Sequence, residues 1–271
     1  MAIQPVFNES IPSLCDIKIN AYFSSDFFYN EKICDEQTHI HSCYEIYVNV
    51  SGDVSFLHDR NVYDIRSGDV VISHPADVHY CIYRSPCVHE HFCVWFSDQN
   101  IGDFLERRGI RGRIRPSKEN RDKIMNDLRL ICSEDTDPFV KSAKLIGLID
   151  LFDTENEKSI SDKVSDNMRL ILEYIDEHLS EIDSISEVAS AFFIAESTLY
   201  RMFRTQLGIS FNKYIEAQRL ALSERLLRAD SSVTDACFLA GFTDCSRFIA
   251  KFKNKFGKTP LKYKKEVLGR R

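Results

Sequence analysis

The chain has 271 residues, which is long enough for two domains. Its composition, 44% hydrophobic and 28% charged residues, is typical of globular proteins. The net charge of -6 is uneven, because residues 163–271 carry 18 Lys and Arg against 14 Asp and Glu, whereas residues 1–162 carry 17 against 27. No apolar run has membrane-spanning length and no signal-peptide pattern opens the chain, so we expect a cytoplasmic protein without a membrane partner.

Short β-strands are predicted from about residue 17 to residue 96, with turns at Ser51-Gly52-Asp53 and Ser67-Gly68-Asp69. Closely spaced strands of this kind favour a barrel or a sandwich. Apolar residues then recur at helical spacing over 120–132 and 139–152, which predicts two amphipathic helices. The polar segment 154–163 lacks periodicity and is the predicted linker. We therefore predict an α+β protein of two domains, 1–153 and 164–271.

The segment after the linker predicts a helix-turn-helix. Ser184 and Glu187 fit a capping box before a short helix, and a second helix, ESTLYRMFRTQ, runs to Gly208. Five positions recur 49 residues later, namely Leu199 as Phe248, Phe203 as Phe252, Gly208 as Gly257, Ser210 as Thr259, and Tyr214 as Tyr263. Because apolar, glycine and tyrosine positions repeat together, the sequence predicts two helix-turn-helix units.

A long helix is predicted between these units, over residues 211–229. At 1.5 Å per residue it would be about 29 Å long, close to the ~34 Å of one turn of duplex DNA. From residue 196 onward the chain has 16 basic against 7 acidic residues, which favours a polyanion partner. These features predict two recognition helices that enter successive major-groove segments of double-stranded DNA.

The segment GFTDCSRFIAKFKNKFGKTPLKYKK, residues 241–265, closely resembles the signature of AraC/XylS-type transcription regulators, and the resemblance covers residues 164–265. It implies a C-terminal all-α domain with two helix-turn-helix units joined by a long helix. It also implies that residues 1–153 form an effector-sensing and dimerisation domain, a small cupin-like β-barrel followed by helices. RNA polymerase and a small-molecule effector are partners that this resemblance implies.

Helical spacing separates buried from outward-facing positions on both predicted recognition helices. Arg201 and Arg247 are the expected base readers, because arginine can bond guanine at both O6 and N7, whereas Arg204 is expected to contact phosphate. The predicted DNA-binding residues are Ser197, Thr198, Tyr200, Arg201, Arg204, Thr205, Ser246, Arg247, Ala250, Lys251, Lys253 and Asn254.

Two residues depart from the family pattern. Ala195 replaces the usual capping serine, so the first recognition helix is expected to lose about 1 kcal/mol of stabilisation. Ala250 occupies a groove-facing position that often carries a long polar side chain. The second unit is therefore expected to read fewer bases and to anchor phosphates through Lys251, Lys253 and Lys255.

Residues 39–47, HIHSCYEIY, carry polar side chains at alternating positions of a predicted strand. His39, His41 and Glu45 resemble the first metal-binding motif of cupins, and His79 resembles the histidine of the second motif. Three imidazoles and a carboxylate suit zinc, iron, manganese or nickel. The same set could instead form a metal-free effector pocket, or a structural cluster. For His89 and His91 we favour a surface strand over a place in the same cavity.

We predict a ligand-responsive, sequence-specific transcription regulator, of carbohydrate or other small-molecule metabolism genes, with no catalytic residues. The alternative is a metal-dependent cupin enzyme, an isomerase or dioxygenase, with a helical regulatory tail. A third interpretation is a metal or oxidant sensor that uses Cys43. A homodimer is expected because the helices over 120–152 would otherwise expose apolar stripes, unless these stripes pack onto the barrel.

Overall fold

The computed structural model describes residues 17–28, 40–154 and 164–269. The first part of the chain forms β-strands that pair antiparallel in a five-stranded sheet of order β1-β7-β2-β5-β8 and a three-stranded sheet of order β4-β3-β6. The strands are Lys18–Phe28 (β1), Tyr44–Ser51 (β2), Val54–His58 (β3), Asn61–Asp64 (β4), Val70–Ser73 (β5), His79–Tyr83 (β6), Cys87–Ser97 (β7) and Gly112–Ile114 (β8).

The two faces of the five-stranded sheet have different surroundings, because successive side chains in a strand point to opposite sides. On strand β2, Ile46 and Val48 belong to a core that also contains the following helices. Tyr47, between them, packs instead with Phe56 of the three-stranded sheet. The face that carries Glu45 and Tyr47 therefore looks into the space between the two sheets, and this space is the interior of the barrel.

Three helices cover the outer face of the five-stranded sheet. They are Gln99–Arg108 (α1), Lys118–Cys132 (α2) and Pro138–Thr154 (α3). The apolar stripes of α2 and α3, which include Leu128 and Leu148, are buried in the same core as the sheet. The stripes thus pack onto the barrel, and the dimer stays a prediction without the support of exposed stripes.

The second part of the chain is helical, as predicted. Its helices are Asp166–His178 (α4), Ile185–Ala191 (α5), Glu196–Met202 (α6), Phe211–Arg228 (α7), Val233–Leu239 (α8), Cys245–Phe256 (α9) and Pro260–Leu268 (α10). A π-helical turn, Phe203–Leu207, continues α6. The α+β fold class with sheets first and helices second is confirmed. The predicted linker lies almost wholly outside the described residues, and the domain bounds remain predictions.

The predicted repeat appears as two similarly built units. Leu199 and Phe203 in the first unit, and Phe248 and Phe252 in the second, are all fully buried. Gly208 and Gly257 both end a recognition helix in the left-handed conformation, with φ of 70° and 72°. The recurrence of apolar and glycine positions in the sequence therefore reflects a recurrence of core packing and helix termination.

The starts of the two recognition helices differ. Asp244 caps α9 by accepting hydrogen bonds from the backbone N–H groups of Ser246 and Arg247, at 2.8 Å and 3.1 Å. Ala195, at the N-cap of α6, provides no side-chain hydrogen bond. The missing cap at Ala195 was predicted from the sequence. None of the helices in the described ranges combines the length and apolar character that a bilayer crossing requires.

The barrel and the helical part share one apolar core. Leu57, Val78 and Ile82 of the three-stranded sheet and its adjoining turn are buried in the same cluster as Phe203 and Leu207. The Tyr80 hydroxyl donates a hydrogen bond to the Leu207 carbonyl at 2.8 Å, and this tyrosine is 5% exposed. The outer face of strand β6 therefore rests directly on the end of the first recognition helix.

Candidate functional site

The outward faces of α6 and α9 carry the predicted DNA-binding residues. Nine of the twelve residues are exposed, namely Ser197, Tyr200, Arg201, Thr205, Ser246, Arg247, Ala250, Lys253 and Asn254, and three are half-buried, namely Thr198, Arg204 and Lys251. The barrel does not bury these faces. Both recognition helices are therefore open to a large partner while the barrel is docked on the helical part.

Arg201 and Arg204 differ in their freedom on the first recognition helix. Within the described part of the chain, the Arg201 side chain is exposed and forms no hydrogen bond or ion pair. Arg204 lies over the ring of Tyr200, with its guanidinium carbon 5.6 Å from the ring centroid. The Arg201 side chain therefore extends into solvent, whereas the Arg204 side chain is held near the helix surface.

Helix α9 presents an exposed arginine and a half-buried lysine, each close to a carboxylate. Arg247 is 83% exposed and its Nε lies 3.6 Å from an Asp244 carboxylate oxygen. Lys251 forms an ion pair with Glu216 of α7. Lys253 projects into solvent, and burial lowers the pKa of Lys255 to about 8. Lys253 is thus the most exposed of these three lysines.

A second polar site lies inside the barrel around the carboxylate of Glu45. Glu45 Oε2 lies 2.8 Å from His41 Nε2 and 3.3 Å from His79 Nε2, and it accepts a hydrogen bond from the Trp95 indole N–H. Glu45 is 6% exposed and His79 1%. The structure thus brings together three of the four predicted ligands, and His39 lies outside the described residues.

The charges in this cluster stabilise one another. Burial alone would raise the pKa of Glu45, but the positive charge of His79 and the hydrogen bonds from His41 and His79 hold it well below its usual range. Burial alone would lower the pKa of His41, but hydrogen bonds to Cys43 and Glu45 and the Glu45 charge raise it to about 10. Glu45 is therefore a buried anion at neutral pH, next to a protonated His41.

Backbone carbonyls orient the two imidazoles of the cluster. His41 Nδ1 lies 3.2 Å from the Cys43 carbonyl oxygen, and His79 Nδ1 lies 3.0 Å from the Asp77 carbonyl oxygen. A carbonyl can only accept, so each Nδ1 carries a proton and each Nε2 is directed at Glu45. This is the orientation that metal-binding histidines adopt, with Nδ1–H donated to an outer carbonyl. The donor atoms of His41, Glu45 and His79 lie within 4.8 Å of one another.

Further polar residues line the barrel interior, and the sequence prediction missed them. His89 is fully buried, with Nε2 2.8 Å from the Tyr47 hydroxyl and Nδ1 3.0 Å from the Tyr83 hydroxyl, so the prediction of a surface strand for this residue was wrong. Burial and the neighbouring His91 lower the pKa of His89 to about 4. The alternation of 89, 91, 93 and 95 along β7 was the available signal, because Trp95 pairs with Glu45 in the sheet.

Replacement of Glu45 by glutamine should destabilise the protein by about 3 kcal/mol, because it leaves a buried imidazolium without its anion. Wild-type stabilisation from His41 is fully present below the usual pKa of 6.5 and is lost as pH rises through about 10. Stabilisation from Glu45 is present above the usual pKa of 4.5 and is lost as pH falls below it.

The difference in unfolding free energy between wild type and Glu45→Gln should therefore be largest between pH 4.5 and 6.5 and decrease on both sides. Urea denaturation from pH 4 to pH 10 measures it, with the exposed Glu134→Gln as the matched control. A difference that does not vary with pH would contradict the proposed charge pairing.

Two protein families match consecutive parts of the chain. Residues 34–141 match the AraC-like ligand binding domain, and residues 188–266 match a helix-turn-helix domain. The first match covers β2 to β8 with the cluster around Glu45. The second covers both recognition helices and α7. Each of the two sites described above thus falls within one family domain.

Curated relatives include the probable transcriptional regulator LumQ of Photobacterium leiognathi, 34% identical over 36% of this chain and 40% of that protein. The transcriptional activator RhaS of Klebsiella pneumoniae is 28% identical over 46% of this chain and 47% of its own length. The chain thus spans less than half of these two relatives. The Msm operon regulatory protein of Streptococcus mutans is 22% identical over 98% of this chain and 99% of its own.

Among solved structures, ToxT from Vibrio cholerae with bound unsaturated fatty acid aligns over 93% of this chain and 96% of its own, with 14% identity and a TM-score of 0.40. An AraC-like ligand binding domain followed by a helix-turn-helix domain is the organisation found here, and the chain belongs to the AraC-type family of transcription regulators.

Proposed function

We propose that this chain is a sequence-specific DNA-binding transcription regulator that responds to a small polar molecule bound inside the barrel. The observation that carries this proposal is the pair of equivalent helix-turn-helix units. Each unit buries the apolar stripe of its recognition helix and leaves the opposite, polar and basic stripe in solvent. This arrangement is typical of helices that enter a DNA groove rather than of helices that pack within a protein.

The two recognition helices are proposed to read DNA unequally. Arg201 and Arg247 are the base readers, since both are exposed and both side chains are long enough to reach the O6 and N7 atoms of guanine. Arg204 and Lys253 contact phosphates, and so does Lys251 once its ion pair with Glu216 opens. The remaining polar residues, Ser197, Thr198, Tyr200, Thr205, Ser246 and Asn254, complete the interface, with Ala250 against the groove.

Helix α7 sets the spacing between the two units. Its 18 residues span about 27 Å at 1.5 Å per residue, somewhat less than the ~34 Å of one DNA turn. A rigid helix of this length favours two contacts on the same face of the duplex. We propose that the operator contains two half-elements about one helical turn apart.

The barrel interior is the proposed effector site, lined by His41, Glu45 and His79. Imidazoles and a carboxylate can bind hydroxyl groups, and the nearby ring of Trp95 offers an apolar surface for a sugar ring. This chemistry supports a role in the control of carbohydrate or other small-molecule metabolism genes. His39, as a further candidate, precedes the described residues of this site.

Strand β6 is the proposed connection between effector and DNA. His79 points into the barrel, whereas Tyr80 on the other face bonds to the Leu207 carbonyl. Arg84, just beyond the strand, donates to the Thr205 carbonyl at 3.3 Å. A ligand that moves His79 would therefore move a strand that rests on the end of the first recognition helix.

We also propose that the regulator acts in the cytoplasm as a homodimer and contacts RNA polymerase, as regulators of this family are expected to do. Leu130 of α2 and Phe139 and Val140 of α3 support the dimer, because these large apolar side chains are 42%, 51% and 39% exposed on the helices that cover the barrel.

A second candidate is that the same barrel residues hold a divalent metal, and that the metal takes part in sensing. The two Nε2 atoms directed at Glu45 favour this candidate, because the set of two imidazoles and one carboxylate suits zinc, iron, manganese or nickel. The metal would supply a Lewis-acidic centre for an oxygen ligand of the effector. A cupin enzyme, the alternative function, would need the same residues.

Selection of bound DNA from random fragments at fixed salt should recover one sequence with two half-elements. Arg201→Ala and Arg247→Ala should each weaken binding of that sequence by about 1–3 kcal/mol and relax specificity at one position. Lys253→Ala should weaken binding of all sequences and reduce the salt slope by about one. Arg129→Ala on α2 is the control. Equal binding of selected and scrambled DNA would refute the proposal.

Tyr80→Phe should loosen the contact between barrel and recognition helix without unfolding the protein. Hydrogen–deuterium exchange of the amides in residues 203–208 should rise about fivefold, because about 1 kcal/mol of hydrogen bonding is removed. The matched control is Tyr174→Phe, because the Tyr174 ring stacks on His178. This substitution should leave the exchange rates of the amides in residues 203–208 unchanged. Unchanged exchange in Tyr80→Phe would mean that strand β6 does not hold the turn.

Elemental analysis of purified protein decides the metal candidate. If metal is bound, about one equivalent should remain after dialysis in wild type and be lost in His79→Gln, because removal of one of few ligands weakens binding strongly. The control is His178→Gln, the same type of substitution at a histidine outside the barrel. If wild-type protein retains less than a tenth of an equivalent of metal after incubation with each of the four metals, the metal candidate is refuted and the metal-free effector site remains.

A further inference from the structure

A groove runs between the barrel and helix α7, separate from the barrel interior. It consists of two adjoining cavities of about 310 Å³ and 330 Å³ that share Arg111 and Arg225 in their walls. Cavities of this size fall in the range that binds small molecules. Tyr44 lines the second cavity, whereas the next residue, Glu45, points to the barrel interior. The groove and the Glu45 cluster thus lie on opposite faces of strand β2.

The walls of the groove come from both parts of the chain. Asp59, Arg60, His74 and Asp77 belong to turns of the barrel. On the opposite side, α4 contributes Ile175 and Asp176, and Leu179 follows its end. Helix α7 contributes Tyr214, Gln218, Arg225 and Arg228. Any molecule that fills the groove would contact the effector-sensing part and the DNA-binding part simultaneously.

Arg225 differs from the other arginines that line the groove. Arg111 is paired with Asp59 and Asp77, Arg60 with Asp176 at 3.0 Å, and Arg228 with Glu224. The Arg225 guanidinium, in contrast, forms no hydrogen bond or ion pair within the ranges 17–28, 40–154 and 164–269, although it lines both cavities. A free guanidinium in a recess between two surfaces is suited to a carboxylate or a phosphate, which it can bind with two parallel hydrogen bonds.

Other wall residues indicate what the rest of the ligand should be. Asp176 and Gln218 in the first cavity and Glu106 in the second provide oxygen atoms that accept hydrogen bonds from hydroxyl groups. The ion pair between Arg60 and Asp176 crosses the groove with both side chains more than half exposed, so it costs little to open. Tyr214 lines the first cavity and Tyr44 the second. This combination of groups suits a hydroxylated, sugar-sized molecule.

We propose that the groove is a second small-molecule site, which binds a hydroxylated oxyanion such as a sugar phosphate or a sugar acid, with its anionic group on Arg225. The site goes beyond the proposed function, because it does not involve the cluster around Glu45. Since its walls belong to both parts of the chain, a bound molecule stabilises the docked arrangement of barrel and α7.

Isothermal titration of the full-length chain tests this site with four probes: glucose 6-phosphate, glucuronate, glucose and inorganic phosphate. Glucose 6-phosphate or glucuronate should bind at one site, and comparison of the two identifies the preferred anionic group. Arg225→Ala should weaken that binding by about tenfold or more, because a charge-assisted bidentate contact is lost. Arg225→Lys should retain part of it, since lysine keeps the charge without the fork.

The exposed Arg129→Ala and Glu134→Gln are the controls, and both should bind within about twofold of wild type. Loss of binding in His79→Gln but not in Arg225→Ala would place the ligand in the barrel and overturn the groove site. Binding of inorganic phosphate as tight as that of glucose 6-phosphate would overturn the hydroxylated class, and no binding of any probe would overturn the site. DNA binding, measured separately on the wild type, distinguishes these failures from failure of the proposed function.

Discussion

Strand β6 has two faces, and the alternation of side chains along it connects the two parts of the protein. His79 reaches the buried Glu45 carboxylate, and the next residue, Tyr80, bonds to the carbonyl that ends the first recognition helix. Because neighbouring residues in a strand are rigidly joined, a displacement on one face is passed to the other. The location of the Glu45 cluster therefore matters as much as its chemistry, since His79 of the cluster is adjacent in the strand to Tyr80, which contacts the helical part.

The Glu45 cluster and the groove at Arg225 use charge in different ways. Glu45 is buried and already has its partners, so a ligand or metal there must replace existing hydrogen bonds. Arg225 is exposed and lacks a partner among the described residues, so a ligand there adds an interaction. The first arrangement favours selectivity, because only a molecule that restores the hydrogen bonds can enter. Binding at Arg225 breaks few existing interactions, so the occupancy of the groove would follow the concentration of the ligand.

Sequence reasoning predicted the helical part in detail and the barrel only in outline. Periodicity and the recurrence of Gly208 as Gly257 locate helices and their ends, because both depend on local geometry. The interior of the barrel depends on which strands pair, and strand β1 with its register to β7 left no clear signal. His89 was therefore predicted on the surface although it is fully buried. The grouping of His41, Glu45 and His79 was predicted from a motif, but the groove required the folded arrangement of distant segments.

The two recognition helices also differ in how firmly they are held, and the barrel contacts the less stable one. Helix α9 continues without interruption over Cys245–Phe256 and is capped twice by Asp244. The first recognition helix lacks a side-chain cap at Ala195 and changes to a π-helical turn at Phe203. Such turns are costly and are frequent at functional sites. A weak contact from the barrel can change the conformation of a helix only if that helix has alternative conformations of similar free energy. Helix α6 meets this condition better than α9. On the proposed function, the missing cap at Ala195 would lower the free energy that an effector has to supply to change how the first unit contacts DNA.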